Sequence, residues 1–222
     1  MAVEDTVRAL VVDYGGVLTT PLGPSFATWL AADGIEPVGY AEVLRDWLGR
    51  SAPPDSPVHL LERGELDVAE FNRLLADRLT TVDGREIVVE GLLDRAFGTV
   101  RPEPTMLDLV RAARAAGMRT ALLSNSWGNS YPMDVLAPLC DVVVISGEVG
   151  MRKPEERIYR LTADRLGLPP EQCLFLDDAQ PNVDGAVNAG MRALLHTDPA
   201  ATVPAVADLV PALITYLREG AP

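Results

Sequence analysis

The chain has 222 residues, 48% of them apolar and 23% charged, with a formal net charge of −13 at pH 7. That length can bury one large core, or a core plus a small second unit, without disulfides, and the acidic balance excludes general binding to nucleic-acid backbones, which takes clustered Lys and Arg. The N-terminal apolar stretch, about five residues, is too short for a signal-peptide core or for the roughly 20 residues of a spanning helix, so a cytoplasmic protein without membrane partners is expected.

The first strand is predicted over residues 7–13. Ala9, Leu10, Val11 and Val12 run without alternation, as in a strand buried on both faces, and the run ends in Asp13 ahead of Gly15 and Gly16. Helices are predicted over 25–32, 38–49, 67–79 and 85–97 with no strand among them. Between the second and third, Pro53, Pro54 and Pro57 mark a turn-rich joint, and Asp67 with Glu70 ahead of Phe71 and Leu74 reads as a capping box. Phe26, Trp29, Tyr40 and Trp47 fall at helical spacing and read as the core of this block.

From residue 100 the pattern changes to strict alternation: helix 104–116, strand 119–123, helix 131–138, strand 141–145, helix 155–166, strand 173–176, helix 181–189, strand 192–195 and helix 203–218. Gly117, Gly167 and Gly190 stand where helix C-caps belong. The fold class expected is α/β, a Rossmann-like doubly wound parallel sheet with a small all-helical cap inserted after the first strand; residues 1–18 and 100–222 make the core and 19–99 the cap. Cys140 and Cys173 adjoin apolar runs and read as buried, reduced thiols.

Polar residues gather at the strand ends, where open α/β sheets bind ligands. Asp13 ends the first strand, Ser124 and Asn125 end the second, and Asp177 and Asp178 end the fourth. Clustered carboxylates repel, and a hard divalent cation with oxygen ligands is the usual way to hold them together. Lys153 is the single lysine beside eighteen arginines. A chain that writes its other cations as Arg keeps a lysine where a compact ammonium must fit beside a carboxylate or phosphate oxygen.

These residues, in this order, resemble the motifs of the haloacid dehalogenase (HAD) superfamily, and within it the group containing the N-terminal phosphatase domain of soluble epoxide hydrolases. The matching residues are Asp13 to Leu18, Leu123 to Asn125, Val149 to Pro154, and Leu176 to Asp178 with Asn182, Gly185 and Ala186. The resemblance implies a hydrolase in which Asp13 attacks phosphorus and water then hydrolyses the aspartyl-phosphate. It further implies Mg2+ held by Asp13, the Gly15 carbonyl and Asp178, with Asp177 behind them or paired with Lys153. Ser124 and the Asn125 amide would hold phosphoryl oxygens, Lys153 would neutralise charge, and Tyr14, Gly15 and Asn182 would line the substrate position. The substrate implied is a small phosphorylated metabolite.

One position departs from the pattern. Phosphatases of this family usually carry a second Asp two residues after the nucleophile as general acid, and here that residue is Gly15. Asp55, His59, Glu62 and Glu65 in the cap are the substitutes the sequence offers. Two alternative readings remain: a dehalogenase-like hydrolase of a small halogenated acid, whose leaving group needs no proton, and a non-catalytic HAD-fold binding or regulatory protein. The oligomeric state is open, with a homodimer among the options.

Overall fold

Residues Ala9–Val12 form β1 and pass into a tight turn at Tyr14–Leu18 that Thr19 closes by donating its N–H to the Tyr14 carbonyl at 3.2 Å. The structure, a computed structural model, describes residues 6–49, 51–128 and 130–219; the outermost residues assigned to the core, 1–5 and 220–222, lie outside that range. Five helices follow: α1 (Leu22–Asp33), α2 (Pro37–Leu48), α3 (Pro57–Glu62), α4 (Val68–Arg78) and α5 (Leu92–Ala96). Then come α6 (Pro104–Ala115), β2 (Arg119–Ser124), α7 (Met133–Leu139), β3 (Val142–Ile145), α8 (Ser146–Val149), α9 (Glu156–Leu166), β4 (Cys173–Asp177), α10 (Gln180–Asn188), β5 (Arg192–Leu195), α11 (Pro199–Leu209) and α12 (Leu213–Glu219).

The strands make one all-parallel sheet in the order β3-β2-β1-β4-β5. Because successive residues of a strand face opposite ways, Leu10, Val12, Leu122, Leu174 and Leu176 pack with α6, α11 and α12 on one face. Ala9, Val11, Leu123 and Phe175 pack with α9 and α10 on the other. Both faces are covered, which explains the unbroken apolar runs. From β1 the chain builds outward to β2 and β3, then returns to start β4 on β1's other side. The reversal opens a crevice between the carboxyl ends of β1 and β4, the place such sheets bind ligands.

Helices α1 to α5 enclose an apolar cluster of their own. Trp29, Tyr40, Trp47 and Phe71 are buried there, with edge-to-face contacts such as Trp29 on Tyr40 at 5.4 Å and Trp47 on Phe71 at 5.9 Å. The two chain passages that join this block to the sheet run side by side, with Thr20 N to Arg101 O at 2.8 Å and Glu103 N to Leu18 O at 2.9 Å.

Several predicted elements differ from those observed. The helix expected over 85–97 shrinks to α5, because Gly91 is left-handed (φ 64°) and the Arg95 guanidinium takes the Val88 and Glu90 carbonyls that a continuing helix would use. The helix expected over 203–218 is two helices, broken at Val210 and Pro211. Helices α3 and α8 are additional; Ser56 caps α3, its Oγ accepting from His59 N at 3.4 Å, with Pro57 at the first position. Only half of the predicted capping box forms: Asp67 Oδ1 accepts from Glu70 N at 2.8 Å, while the Glu70 carboxylate turns to Arg73. Pro154 precedes α9 by two residues.

Candidate active site

The turn after β1 is shaped by two glycines with different duties. Gly15 has φ −68° and ψ 123°, open to any residue, whereas Gly16 is left-handed at φ 76°. A Cβ on Gly16 would lie 2.2 Å from Asp178 Oδ2, so a side chain there would drive that carboxylate away. Gly16 therefore lets the ends of β1 and β4 close on each other.

Asp13, Asp177 and Asp178 come together there, with one carboxylate oxygen from each lying within 4.8 Å of the others. Lys153 reaches into them and is completely buried. Its Nζ donates to Leu123 O at 3.0 Å and to Asp177 Oδ2 at 2.6 Å, and lies 2.8 Å from Asp13 Oδ1. The Asp13 contact is an ion pair outside hydrogen-bonding alignment, which leaves Asp13 Oδ1 as a buried acceptor without a hydrogen bond. Burial alone would pull the Lys153 ammonium's pKa down; the facing Asp13 and Asp177 carboxylates outweigh it and hold the pKa above its ordinary value.

The three carboxylates are not equivalent. Asp177 is saturated, its Oδ1 accepting from Ala179 N and Asn182 Nδ2, both at 2.9 Å, while its Oδ2 takes Lys153. Asp178 opens to the cavity, and burial together with the Asp177 charge raises its pKa. Burial pushes Asp13 up to about 7, opposed by Lys153 and reinforced by Asp177 and Asp178. The donor set suits a hard divalent cation: two carboxylates, Asp13 and Asp178, neither of them saturated with hydrogen bonds as Asp177 is.

The remaining predicted residues surround this centre. Ser124 is buried, and its Oγ accepts from Tyr131 OH at 3.0 Å. The Asn125 side chain is turned to Lys153: Oδ1 accepts from Lys153 N at 2.8 Å and Nδ2 donates to Lys153 O at 3.1 Å, so it fixes the lysine's backbone. Asn182 holds Asp177, and Tyr14 stacks edge-on against Tyr131 at 5.0 Å.

All of these except the buried Asp177 line a cavity of about 840 Å³, shared between the sheet's crevice and the helical block. Leu22, Phe26, Leu44 and Phe97 supply apolar wall from the block. Leu22 also stands where a side chain on Gly15 would point, its Cδ1 lying 3.3 Å from that Cβ position. Of the four proposed substitutes for an acid, His59 and Glu62 line the cavity. Asp55 and Glu65 are exposed, and Glu65 pairs with Arg63. His59 Nδ1 lies 3.0 Å from the Pro53 carbonyl and must carry a proton to bond there, which turns Nε2 into the free nitrogen.

Sequence reasoning missed the role of Glu62 as a joint. Its Oε2 accepts from Arg152 Nε at 2.5 Å, its Oε1 from Trp127 Nε1 at 3.0 Å, and its backbone carbonyl from Ser146 Oγ at 2.5 Å. Trp127 in turn packs edge-on against Phe71 and Phe97 of the block. No local pattern marks this set, because it joins loops 65 to 90 residues apart. Tyr131 was missed for the same reason.

A doubly wound sheet with carboxylates and one buried ammonium at its reversal point, facing a helical block, defines a known class of α/β enzyme. The chain belongs to the haloacid dehalogenase-like hydrolases, whose family model matches residues 7–190. It is 26% identical over 208 residues to the pig bifunctional epoxide hydrolase 2, covering 86% of this chain and 37% of that one, so it spans little more than a third of that relative. It is also 26% identical over 243 residues to phosphoglycolate phosphatase of Salmonella typhimurium, covering 93% and 92% of the two chains. Among solved structures, a HAD family enzyme of Bacteroides thetaiotaomicron, in complex with magnesium and inorganic phosphate, superimposes with a TM-score of 0.64 at 19% identity, over 86% of this chain and 94% of that one. Among the described residues no helix is long and apolar enough to cross a membrane.

Proposed function

We propose that this hydrolase is a magnesium-dependent phosphatase acting on a small phosphorylated metabolite through an aspartyl-phosphate intermediate. The observation that carries the reading is the carboxylate trio within 4.8 Å around Lys153, with Asp13 Oδ1 buried and lacking a hydrogen bond. Asp13, the Gly15 carbonyl and Asp178 would hold Mg2+, with Asp177 behind them as the partner of Lys153. When bound, the ion supplies positive charge against the transferring phosphoryl group.

Asp13 attacks phosphorus, and the bond from phosphorus to the departing oxygen breaks. Ser124 Oγ, the Asn125 N–H and the Lys153 ammonium take the phosphoryl oxygens, an electrostatic contribution that dominates phosphoryl transfer. Water then attacks phosphorus, releases inorganic phosphate and restores the Asp13 carboxylate. The departing oxygen meets Gly15 and Leu22, neither of which donates a proton, so leaving groups stable as anions are favoured. Residues 19–99 act as the cap, and Leu22, Phe26, Leu44 and Phe97 fit a substrate with a partly apolar body. Two buried free thiols on opposite faces of the sheet, Cys140 and Cys173, fit a reducing cytoplasm.

Phosphate release from a panel of aryl, acyl and alkyl phosphates tests the reading. Turnover should require magnesium and vanish in Asp13→Asn. Full activity in excess chelator, above all on a haloacid, would replace it with the dehalogenase reading.

A further inference from the structure

The cavity contains a second cation besides Lys153, and nothing in the phosphatase chemistry uses it. Arg152 is the neighbour of Lys153 in the chain, yet the two side chains part company. Lys153 turns under the sheet's edge to Asp13, and Arg152 turns toward the helical block and Glu62. Both members of the Arg152–Glu62 pair are largely buried, with side-chain exposures of 13% and 4%. Glu62 is itself immobilised by Trp127 Nε1 and by Ser146 Oγ, which also accepts from Ser126 N at 2.7 Å. The orientation of the guanidinium is therefore set by groups from both halves of the molecule.

Only one edge of that guanidinium is used. Nε donates to Glu62, while neither terminal nitrogen makes a hydrogen bond among the described residues. A guanidinium carries five N–H donors in a rigid fork suited to a planar carboxylate. Here the four on the terminal nitrogens are free, on a residue that forms part of the cavity wall. Holding an arginine by Nε alone costs the protein its other donors unless something else takes them up.

We infer that Arg152 is a specificity-determining residue that binds a carboxylate carried by the substrate, away from its phosphoryl group. A monoanion suits the place better than a second phosphate, because Glu62 already faces Arg152 and Asp94 and Asp184 add negative charge to the same cavity. Glu62 acts as the positioning residue that aims the fork. The assignment rests on the phosphatase reading, which places the phosphoryl group at Asp13.

The test uses non-hydrolysable probes with magnesium present: inorganic phosphate, alkylphosphonates of graded length, and the same phosphonates ending in a carboxylate. Wild-type protein should bind the best carboxylated phosphonate about ten- to a hundredfold tighter than its uncharged counterpart, the range of a charge-assisted forked contact. Arg152→Met should erase that advantage and leave phosphate affinity within about threefold. Should Arg152→Met fail to fold, Arg152→Lys keeps the charge without the fork and should lose most of the advantage. Wild type that binds phosphate but shows no carboxylate preference overturns the inference alone, and so does an Arg152 variant that weakens all three probes equally. Wild type that binds no phosphate overturns the phosphatase reading beneath it.

Discussion

At the scale of single residues, Lys153 explains why one lysine survives in a chain of arginines. Its Nζ donates to Leu123 O at 3.0 Å and Asp177 Oδ2 at 2.6 Å and lies 2.8 Å from Asp13 Oδ1 inside a fully buried pocket, a space that a planar guanidinium cannot share. Lys153→Arg should lose most turnover while circular dichroism stays native. Lys153→Met should in addition cost about 3–5 kcal/mol of stability in denaturant titration, since it leaves Asp13 and Asp177 buried without their partner. Gly15 makes the opposite case, an absence that can be reversed. Its backbone accepts any side chain, and the nearest obstacle is the flexible end of Leu22 at 3.3 Å. The wild type should cleave aryl phosphates far faster than alkyl phosphates, and Gly15→Asp should narrow that ratio by raising the alkyl rate. Equal wild-type rates on both esters, with chemistry rate-limiting, would move the proton donor elsewhere, to another group of the cap. Asp13, Lys153 and Asp178 were legible in the sequence because each follows or precedes a recognisable strand or helix end. Tyr131 and Arg152 were not, because their significance lies in what faces them across the cavity.

At the scale of elements, the sheet was easier to read than the helical block. Strands buried on both faces announce themselves as unbroken apolar runs, and β5 matches its predicted bounds. Short helices such as α3 and α8 carry too few residues to establish a period, and the stretch before α5 is held irregular by an arginine that takes its carbonyls. Those two short helices meet backbone to backbone at one joint between block and core. Gly64, just after α3, is left-handed at φ 71°, and a Cβ there would lie 2.4 Å from the Gly147 carbonyl in α8. Backbone on backbone leaves nothing flexible to move. Gly64→Ala should destabilise the protein by about 1–3 kcal/mol and raise KM more than it changes the folded content, since the Glu62 contacts lie two residues away. An unchanged melting temperature and KM would mean that the block sits on the sheet more loosely than the geometry indicates.

For the whole molecule, the proposed magnesium site would link stability, pH and metal through Asp13. Burial lifts its pKa from the ordinary 3.8 to about 7, so in the metal-free protein its contribution to stability is fully present below 3.8 and is lost as pH rises toward 7. A cation at the proposed site would bind the ionised form and displace the proton, so apparent magnesium affinity should fall by up to tenfold per unit as pH drops below about 7. The rise in melting temperature on adding magnesium should therefore be larger at pH 8 than at pH 6; an equal rise at both would show that Asp13 is already ionised without the metal. The central position of β1 has a kinetic consequence. Its partners are residue 119 and beyond on one side and residue 173 and beyond on the other, so the strand that ends in Asp13 cannot complete its pairing until distant segments of the chain have closed around it. Contacts among α1 to α5 span fewer residues than the pairings of β1, so the helical block should form first and the high-contact-order parallel pairing late. During refolding, helical signal should recover before catalytic turnover, because Asp13 and Asp178 meet only when β4 docks against β1.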